Sequence, residues 1–361
     1  MPRSKILYLI NYAGNGGTEN FVKTVIDRLG DSIEPHFIYN ESGALVEWMT
    51  SRGIPTSQIA MTSPFDIGAA KAVAAYCKAN KIDIIHTQFL RENYIAMLAK
   101  IFCPRVRAIS SFHILTPVSA PIRICNRLIS CLQDKITSVC TPGVELLMAN
   151  GVPKRKIQLL FNAVDGEYWL GGETTLRKEL GISEDAFVML YAARLAEGKG
   201  HSFLLEAVAK MQGDFTLVLA GDGEKLDELC AQCDKLNLGE KVKFIGFRTD
   251  MKNLYTAADV TVCPSESEAL SYMILESLAC GTPVAATRVG GTPDIITDEA
   301  DCGILVEYGD SEALARALEK LRDDTALRSR LGKNGIKRIA EAFNIEAFTS
   351  AIAALYAGKK S

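Results

Sequence analysis

Residues 263–296 read CPSESEALSYMILESLACGTPVAATRVGGTPDII and hold the most informative pattern of the chain. Glu268 lies in a loop after an apolar strand, and Glu276 lies eight residues further on, within a helix. Carboxylates at two depths of one site can accept hydrogen bonds from two sets of hydroxyl groups. A second interpretation stays open, in which Glu268 is a charge at a helix start and Glu276 belongs to a solvated helix face.

The helix in this stretch begins near Ser271, which gives its start an electrostatic role. The backbone amides of Leu270, Ser271 and Tyr272 come before the first complete turn, so their N–H groups have no acceptor within the helix. The positive end of the helix dipole lies at the same place. A helix start of this kind favours an anion beside it.

Apolar segments of strand length alternate with amphipathic helical segments on both sides of this stretch. The predicted strands of the first half are KILYLI, HFIYN, IDIIHT, RAISSF and ITSVC, and those of the second half are FVMLYAA, TLVLAG, VKFIG, VTVCPS, TPVAAT and GILV. The helices between them repeat apolar residues at three- and four-residue spacing. The predicted fold class is therefore α/β, with two doubly wound parallel sheets of the Rossmann-like kind.

The 361 residues suit two domains better than one core. We expect an N-terminal domain over residues 1–165 and a C-terminal domain over 166–335. The segment FNAVDGEYWLGGE between the two sheets is rich in turn formers and aromatic residues, which is typical of a linker. Residues 336–361 follow the second sheet, and we expect this helical segment to pack back on the first domain.

The composition, 23% charged and 48% hydrophobic, is typical of a globular enzyme. The sequence has no apolar run of the roughly 20 residues that a membrane-spanning helix needs, and its start shows no signal-peptide cleavage site. We therefore expect a cytoplasmic protein. Ten scattered cysteines suit reduced thiols, and the lone CxxC of Cys230 and Cys233 has no second pair or nearby histidine to complete a metal site.

Charge is divided unevenly along the chain. Residues 1–165 carry 18 Lys and Arg against 12 Asp and Glu, whereas the remainder carries 22 against 31. Within the basic half, residues 123–135 read RICNRLISCLQDK and predict an amphipathic helix with Ile124 and Leu128 on its apolar side. Such a helix fits an anionic membrane surface at the inner, cytoplasmic face, and it fits an ordinary surface helix as well. We expect no nucleic-acid partner.

The loop after FVMLYAA reads ARLAEGKGH and places Arg194 and Lys199 at the carboxyl edge of the second sheet. Ligands bind at this edge in folds of this type. An arginine fork and a lysine ammonium on one loop can neutralise a diphosphate. Two solvated surface charges are the alternative.

The loop after the first strand reads NYAGNGGTENF, with Gly14, Gly16 and Gly17 before a helix. Glycine lets the backbone approach a ligand closely, and the helix start favours an anion. The spacing is not that of the GxGxxG dinucleotide motif. A tight turn without a ligand is equally compatible with it.

Taken in order, these motifs resemble one known family. GGTE, a strand that ends in His113, FNAVD, ARLAEGKG, AGDGE, FIGF and the E-x7-E block with its CGTPV continuation are similar to the group 1, family 4 retaining glycosyltransferases of GT-B fold. The resemblance covers nearly the whole chain. It implies two facing Rossmann-like domains, with the acceptor bound by the first and a nucleotide sugar by the second.

The resemblance also assigns the residues that hold the donor phosphates. Arg194 and Lys199 are expected to bind the diphosphate and to stabilise the charge that builds on it as the glycosidic bond breaks. The amides of Leu270, Ser271 and Tyr272 are expected to assist from the helix start. Gly16 and Gly17 are expected to let the first domain close over the phosphates, and Gly221 in AGDGE is expected to bind the donor.

The same resemblance assigns contacts to the sugar and the nucleoside. Glu268 is expected to bind donor-sugar hydroxyls, Glu276 the ribose, and the backbone around Phe247 and Arg248 the nucleobase. His113 is expected beside the reacting sugar, although a strand-end histidine is often only a hydrogen-bonded loop residue. The family's usual glycine after the first glutamate is alanine here, in ALSY, which puts the donor-sugar contacts in question.

The expected mechanism needs no metal and no cofactor. The four histidines are dispersed, and no DxD pair stands at a strand end to hold a divalent ion. Arg194, Lys199 and the helix dipole would take that role. Retention of the anomeric configuration follows from the family, and we expect a front-side reaction in which the departing phosphate oxygen takes the acceptor's proton.

The resemblance implies a hexosyltransferase of polysaccharide biosynthesis at the cell envelope. UDP-sugars are favoured over GDP-sugars because they are common among relatives, and the expected acceptor is a glycan or a lipid-linked glycan precursor. Three alternatives stay open at this point. They are a nucleotide-sugar epimerase, a sugar phosphorylase, and a sugar-binding protein without catalysis.

Overall fold

The computed structural model describes residues 3–14 and 16–358, which form two compact units. One unit holds the described residues up to Asn162 and those from Glu346 onward, and the other holds Ala163–Ile345. Each unit is a parallel sheet with helices packed on it. The predicted fold class of two Rossmann-like domains is confirmed.

The first unit contains a parallel sheet with strand order β3-β2-β1-β4-β5-β6-β7. Its strands are β1 (Ser4–Tyr12), β2 (Ile33–Glu41), β3 (Thr56–Gln58), β4 (Ile84–Thr87), β5 (Arg107–Phe112), β6 (Lys135–Ser138) and β7 (Ile157–Leu159). Its helices are α1 (Gly17–Leu29), α2 (Ala44–Ser51), α3 (Ile67–Asn80), α4 (Leu90–Phe102), α5 (Ala120–Ile129) and α6 (Thr141–Ala149). The centre of β1 is fully buried because helices cover both faces of the sheet.

The second unit repeats this scheme with strand order β10-β9-β8-β11-β12-β13. It begins with two short helices, α7 (Gly166–Trp169) and α8 (Leu176–Glu179). The strands are β8 (Val188–Ala192), β9 (Thr216–Ala220), β10 (Val242–Phe244), β11 (Val260–Cys263), β12 (Val284–Thr287) and β13 (Gly303–Val306). The other helices are α9 (His201–Val208), α10 (Leu226–Lys235), α11 (Met251–Ala257), α12 (Tyr272–Ala279), α13 (Thr292–Ile295), α14 (Ser311–Asp323) and α15 (Thr325–Ala342).

The last helix, α16 (Ile345–Ala357), packs within the first unit. Its Tyr356 hydroxyl lies 2.6 Å from Nδ1 of His86 and 3.1 Å from the hydroxyl of Tyr8, in the buried core. Arg107 donates to the backbone carbonyls of Leu355 and Tyr356. The expected segment 336–361 is thus divided between the units, because the chain up to the start of α16 packs with the second sheet.

The amphipathic helix predicted over residues 123–135 is shorter than expected. Helix α5 ends at Ile129, and Lys135 opens β6, where pairing with β5 fixes it in the sheet. Ile124 and Leu128 point away from the core, with 64% and 70% of their surface exposed. Within the described ranges, no helix is long and apolar enough to cross a membrane.

Candidate active site

The carboxyl edge of the second sheet is built from loops that interlock through their backbones. Leu195 donates its N–H to the carbonyl of Asp222 at 2.9 Å, and Glu266 donates to Gly198 at 2.9 Å. Gly200 has φ +73°, and a Cβ there would collide with the carbonyl oxygen of Pro264. The loop that carries the two predicted cations is therefore fixed on both sides.

Gly221 belongs to the same construction. Its φ is +145°, and a Cβ would collide with the carbonyl oxygen of Ala193, in the loop after β8. The Gly221 amide donates to Gly246 at 2.8 Å, which ties the loop after β9 to the loop after β10. The fold itself therefore requires glycine at position 221, independently of the predicted role in donor binding.

Lys199 and Glu268 form an ion pair at this edge. The ammonium Nζ lies 2.8 Å from Oε1 of Glu268, and the Ser265 hydroxyl donates to the same oxygen at 2.9 Å. The Tyr191 hydroxyl donates to the Lys199 carbonyl at 2.7 Å. The pair is partly buried, and it leaves two ammonium hydrogens and the Oε2 oxygen for a ligand.

Arg194 differs from Lys199 in having no partner. Its side chain is exposed and makes no hydrogen bond or ion pair with another described residue. Arginine keeps its charge at any ordinary pH, and its fork matches phosphate oxygens. Arg194 therefore provides a positive group that is free to bind an anion.

The start of α12 lies directly after the Glu268 loop. Ser271 caps this helix in an extended conformation, and its side chain makes no capping hydrogen bond. The Glu268 carbonyl accepts from the Gly291 amide at 3.2 Å, which holds the loop against the chain after β12. Since the cap satisfies none of the first-turn amides, the helix start keeps its affinity for an anion.

Glu276 is not part of a solvated face. Its Oε2 accepts a hydrogen bond of 2.9 Å from the buried Tyr255 hydroxyl. Burial raises the pKa of the Glu276 carboxyl to about 7. The hydroxyl of Tyr272, one turn earlier, is also buried and has no hydrogen-bond partner among the described residues. Together they form a half-buried polar site with spare hydrogen-bonding capacity.

Phe247 and Arg248 follow β10 at the same edge. The Phe247 side chain is exposed, whereas the Arg248 guanidinium donates to Asp250 at 2.6 Å and to Glu179 at 3.1 Å. These ion pairs occupy the Arg248 side chain and fix its loop. A ligand contact at Arg248 is therefore left to its backbone.

In the first unit, His113 lies just after β5. Its Nε2 lies 2.9 Å from Oε1 of Gln88, and the Phe21 ring packs edge-on at 4.9 Å between centroids. Burial lowers the pKa of His113 to about 3, so the imidazole is neutral at physiological pH. His113 is thus a hydrogen-bonded histidine that also lines a cavity.

Gly16 caps α1, and Gly17 is its first residue. The Glu19 carboxylate accepts from the amide of Gly14 at 3.1 Å and from that of Gly16 at 2.9 Å. The chain's own carboxylate thereby satisfies amides of the glycine loop that were expected to be available to a ligand. Glu19 is a loop-fixing residue that the glycine pattern alone did not indicate.

The first unit also contains a cavity of about 480 Å³ near the carboxyl ends of β1, β4 and β5. Its polar lining includes Gln88, Glu92 and Asn93, which no motif of the sequence indicates. Their segment, QFLREN, looks like an ordinary polar helix start. Only their burial in the structure separates them from a solvated first turn.

The predicted site residues thus fall into two groups. The second unit brings eight of them to one sheet edge, namely Arg194, Lys199, Gly221, Phe247, Arg248, Glu268, Ser271 and Glu276, with Leu270 and Tyr272 beside them. Gly16, Gly17 and His113 belong to the first unit. Among residues 3–14 and 16–358, no cluster of His, Cys, Asp and Glu is arranged to hold a metal ion.

Two family models match the chain, one on each unit. Residues 172–338 match the model described as glycosyl transferases group 1, and residues 15–168 match the glycosyltransferase family 4 model. The lipopolysaccharide core biosynthesis glycosyltransferase LpsE of Rhizobium meliloti is 36% identical over 222 residues. That match covers 61% of this chain and 64% of the relative, slightly less than two thirds of its length.

A relative from Campylobacter jejuni matches over almost its full length. This N-acetylgalactosamine-N,N'-diacetylbacillosaminyl-diphospho-undecaprenol 4-alpha-N-acetylgalactosaminyltransferase is 28% identical, over 94% of this chain and 96% of the relative. The crystal structure of Anabaena HepE in complex with UDP-glucose superposes with a TM-score of 0.86 at 22% identity, covering 98% of this chain and 99% of HepE. With both units matched, the chain belongs to the group 1, family 4 glycosyltransferases of GT-B fold.

Proposed function

We propose that this glycosyltransferase transfers a sugar from a nucleotide diphosphate sugar to a glycan or a lipid-linked glycan precursor, without a metal ion and with retention. The observation that carries the proposal is the cation arrangement at the second sheet, where Lys199 is held on Glu268 and Arg194 is unpaired. Support for the donor class comes from HepE, whose crystal structure contains UDP-glucose. Among nucleotide sugars we favour a UDP-sugar, and a GDP-sugar is the alternative.

In this proposal Arg194 and Lys199 bind the diphosphate. The amides of Leu270, Ser271 and Tyr272 add the field of the helix start. Positive groups fixed before the reaction stabilise charge as it develops on the leaving phosphate, since they need no reorganisation. These groups supply the electrostatic role that a divalent ion has in other transferases.

The remaining residues of the second unit would recognise the rest of the donor. Glu268 offers its Oε2 to donor-sugar hydroxyls, and Glu276 offers its partly buried carboxylate to the ribose. The backbone at Phe247 and Arg248 would contact the base, since ion pairs occupy the Arg248 side chain. Gly221 would keep its loop close to the nucleotide.

The reaction we propose is a front-side displacement. The bond between the anomeric carbon and the phosphate oxygen breaks, and a bond from the acceptor oxygen to the same face of that carbon forms. The proton of the acceptor hydroxyl moves to the departing phosphate oxygen, so atoms and charge balance. His113 is neutral at physiological pH and is proposed as a substrate-contacting residue of the first unit, together with Gly16 and Gly17.

We propose that the protein works in the cytoplasm, in peripheral contact with an anionic membrane. Ile124 and Leu128 expose an apolar face on α5, and Arg123 and Arg127 on the same helix are exposed cations. The Campylobacter relative carries a diphospho-undecaprenol acceptor in its name, which supports a lipid-linked substrate.

Binding of nucleotides without an acceptor tests the central claim. In thermal-shift and calorimetric titrations with EDTA present, UDP should stabilise the protein more than GDP. Arg194→Ala and Lys199→Ala should each weaken UDP binding by about tenfold or more, because each removes a charged contact to phosphate. Arg316→Ala, an exposed arginine of α14, is the matched control and should bind UDP like the wild type.

Two outcomes of these titrations would contradict the proposal. An Arg194→Ala variant that binds UDP with wild-type affinity would remove the basis of the proposal, as would binding that depends on a divalent ion. Incubation with a UDP-sugar alone separates the alternatives, since an epimerase would convert the sugar and a transferase would leave it unconverted or slowly hydrolyse it.

A further inference from the structure

Ser265 is a fully buried serine at the carboxyl edge of the second sheet. It follows the end of β11 at Cys263, and none of its surface is exposed. Its hydroxyl donates to Oε1 of Glu268 at 2.9 Å, the same oxygen that accepts from Nζ of Lys199 at 2.8 Å. A buried hydroxyl that donates to a carboxylate stabilises one orientation of that carboxylate.

The serine contact distinguishes between the two oxygens of Glu268. A carboxylate that has only a lysine beside it can present either oxygen, or both, to the ammonium. Here two donors occupy Oε1, while Oε2 accepts no hydrogen bond from the described residues. The carboxylate is thereby held with Oε2 available to the hydroxyl groups of a ligand.

Tyr191, a buried residue of β8, makes a corresponding contact with the lysine. Its hydroxyl donates to the backbone carbonyl of Lys199 at 2.7 Å and lies 3.3 Å from the hydroxyl oxygen of Ser265. Each hydroxyl has one hydrogen, so that of Tyr191 serves Lys199 and that of Ser265 serves Glu268. The two hydroxyls together fix both members of the ion pair.

Neighbouring elements of the second unit hold Ser265 and Tyr191 in place. The Ser265 carbonyl accepts from the hydroxyl of Thr287, the last residue of β12, at 2.5 Å. The ring of His201 packs on that of Tyr191, with 4.6 Å between the centroids. Both hydroxyls are therefore positioned by the protein itself before any ligand binds.

We infer that Ser265 is a positioning residue of the donor site, which acts through Glu268 to hold Oε2 toward the sugar of the donor, and that Tyr191 positions Lys199. The inference rests on the proposed function, because it concerns the same donor. The two residues differ in what they control. Ser265 controls recognition of the sugar, whereas Tyr191 controls the cation that binds the diphosphate.

The affinities of the full-length protein for UDP and for UDP-sugars test the role of Ser265. Calorimetric titrations use UDP, UDP-glucose, UDP-galactose and UDP-N-acetylglucosamine, and the UDP-sugar that the wild type binds most tightly is the probe. Ser265→Ala should weaken the probe about fivefold or more, and UDP by less than about twofold, because UDP has no sugar for Glu268 to bind. Ser265→Cys keeps the shape with a weaker donor and gives the same comparison if the alanine variant does not fold.

Tyr191→Phe should give a different pattern. It removes the hydroxyl that holds Lys199 and keeps the buried ring. UDP and the UDP-sugar should both bind more weakly, by a similar factor, because both carry the diphosphate. A loss confined to the UDP-sugar would contradict the role assigned to Tyr191.

Ser277→Ala is the matched control for Ser265→Ala. Ser277 is also fully buried, and its hydroxyl lies 2.7 Å from that of Thr261 and 3.0 Å from the carbonyl of Thr282. Its loss should lower the melting temperature to a comparable extent. The ratio of the affinities for UDP and the UDP-sugar should stay at its wild-type value.

A double variant separates positioning from a general structural role. In a Glu268→Ala background, Ser265→Ala should change the affinity for the UDP-sugar by less than about twofold, because the residue through which it acts is gone. Single losses that combine in full would mean that Ser265 acts independently of Glu268, and they would overturn the inference.

The wild-type titrations distinguish failure of the inference from failure of the proposed function. If the wild type binds UDP and a UDP-sugar, and Ser265→Ala weakens both equally or neither, the inference alone is overturned. A wild type that binds none of the UDP-sugars counts against the proposed function. The crystal structure of Ser265→Ala then decides the inference, which predicts that Glu268 turns both oxygens toward Lys199, and an unmoved carboxylate would overturn it.

Discussion

Gly198 and Gly200 belong to one loop. Comparing alanine substitutions at the two positions separates the energetic cost of backbone conformation from that of close packing. Both have positive φ, +73° and +77°, but a Cβ at Gly200 would collide with the Pro264 carbonyl, whereas a Cβ at Gly198 has no neighbour within 4 Å. Gly198→Ala should therefore cost about 1 kcal/mol for the left-handed backbone alone. Gly200→Ala should cost more, roughly 2–4 kcal/mol, because the interlocked loops must separate. Thermal or urea unfolding measures both, and equal losses would contradict the packing explanation.

The titration of Glu276 makes a second residue-scale prediction. Burial raises its pKa to about 7, so lowering the pH from about 8 to about 6 protonates it and removes its capacity as a charged acceptor. UDP affinity should fall several-fold over this range. Glu276→Gln should bind UDP more weakly and lose most of the pH dependence, while any titration of UDP itself remains in both proteins. A pH profile unchanged by the substitution would exclude Glu276 from the nucleotide site.

At the scale of elements, α5 tests the proposed membrane contact. The Ile124→Ser and Leu128→Ser double variant removes two exposed apolar side chains without touching the core. In co-sedimentation with anionic liposomes at low salt, it should bind several-fold more weakly than the wild type. Ile101→Ser should bind like the wild type, and zwitterionic liposomes should bind all three weakly. A wild-type protein that ignores anionic liposomes would refute the membrane contact.

The sequence pattern predicts the long, fully apolar strands because burial on both faces leaves a continuous apolar run, as in β1 and β8. It misses the edge strands β3 and β7, which are three residues long and only partly buried. It also predicts α15 and α16 as one helical segment, since the apolar periodicity continues across the break between Ala342 and Ile345. There Phe343 leaves the helix at φ −129°, and its carbonyl accepts from Val164. Contacts this distant in sequence cannot be read from local periodicity.

At the scale of the whole molecule, the site features that follow from local sequence can be predicted, and those that depend on distant contacts cannot. The edge of the second sheet could be predicted, because parallel strands bring their carboxyl ends together and Arg194, Lys199 and Glu268 each follow one. The ion pair between Lys199 and Glu268 could not, since two side chains 69 residues apart meet only in three dimensions. No motif of the sequence indicates Gln88, Glu92 and Asn93, because only their burial in the folded structure distinguishes them from a solvated helix start.

The two units should also respond differently to acid. In the first unit, burial lowers the pKa of His86 and of His113 to about 3. The unfolded chain then binds protons that the folded unit cannot, so stability is complete above about pH 6.5 and falls as the pH drops toward 3. Each histidine removes up to about 2 kcal/mol by pH 5. Burial raises the pKa of Glu92, which opposes this loss in part.

In the second unit, the loss of stability from a buried histidine and the gain from a buried glutamate nearly balance as the pH falls. Burial lowers the pKa of His201 to about 4, which destabilises the fold as the pH falls, and raises that of Glu276 to about 7, which stabilises it over the same interval. Calorimetry from about pH 6.5 to 5 should therefore resolve one transition that moves down steeply and one that moves little. Glu276→Gln should make the second transition acid-sensitive, because His201 then titrates unopposed. Two outcomes would contradict this balance. In one, the midpoint temperatures of both wild-type transitions fall together with pH, and in the other, the second transition of Glu276→Gln does not shift.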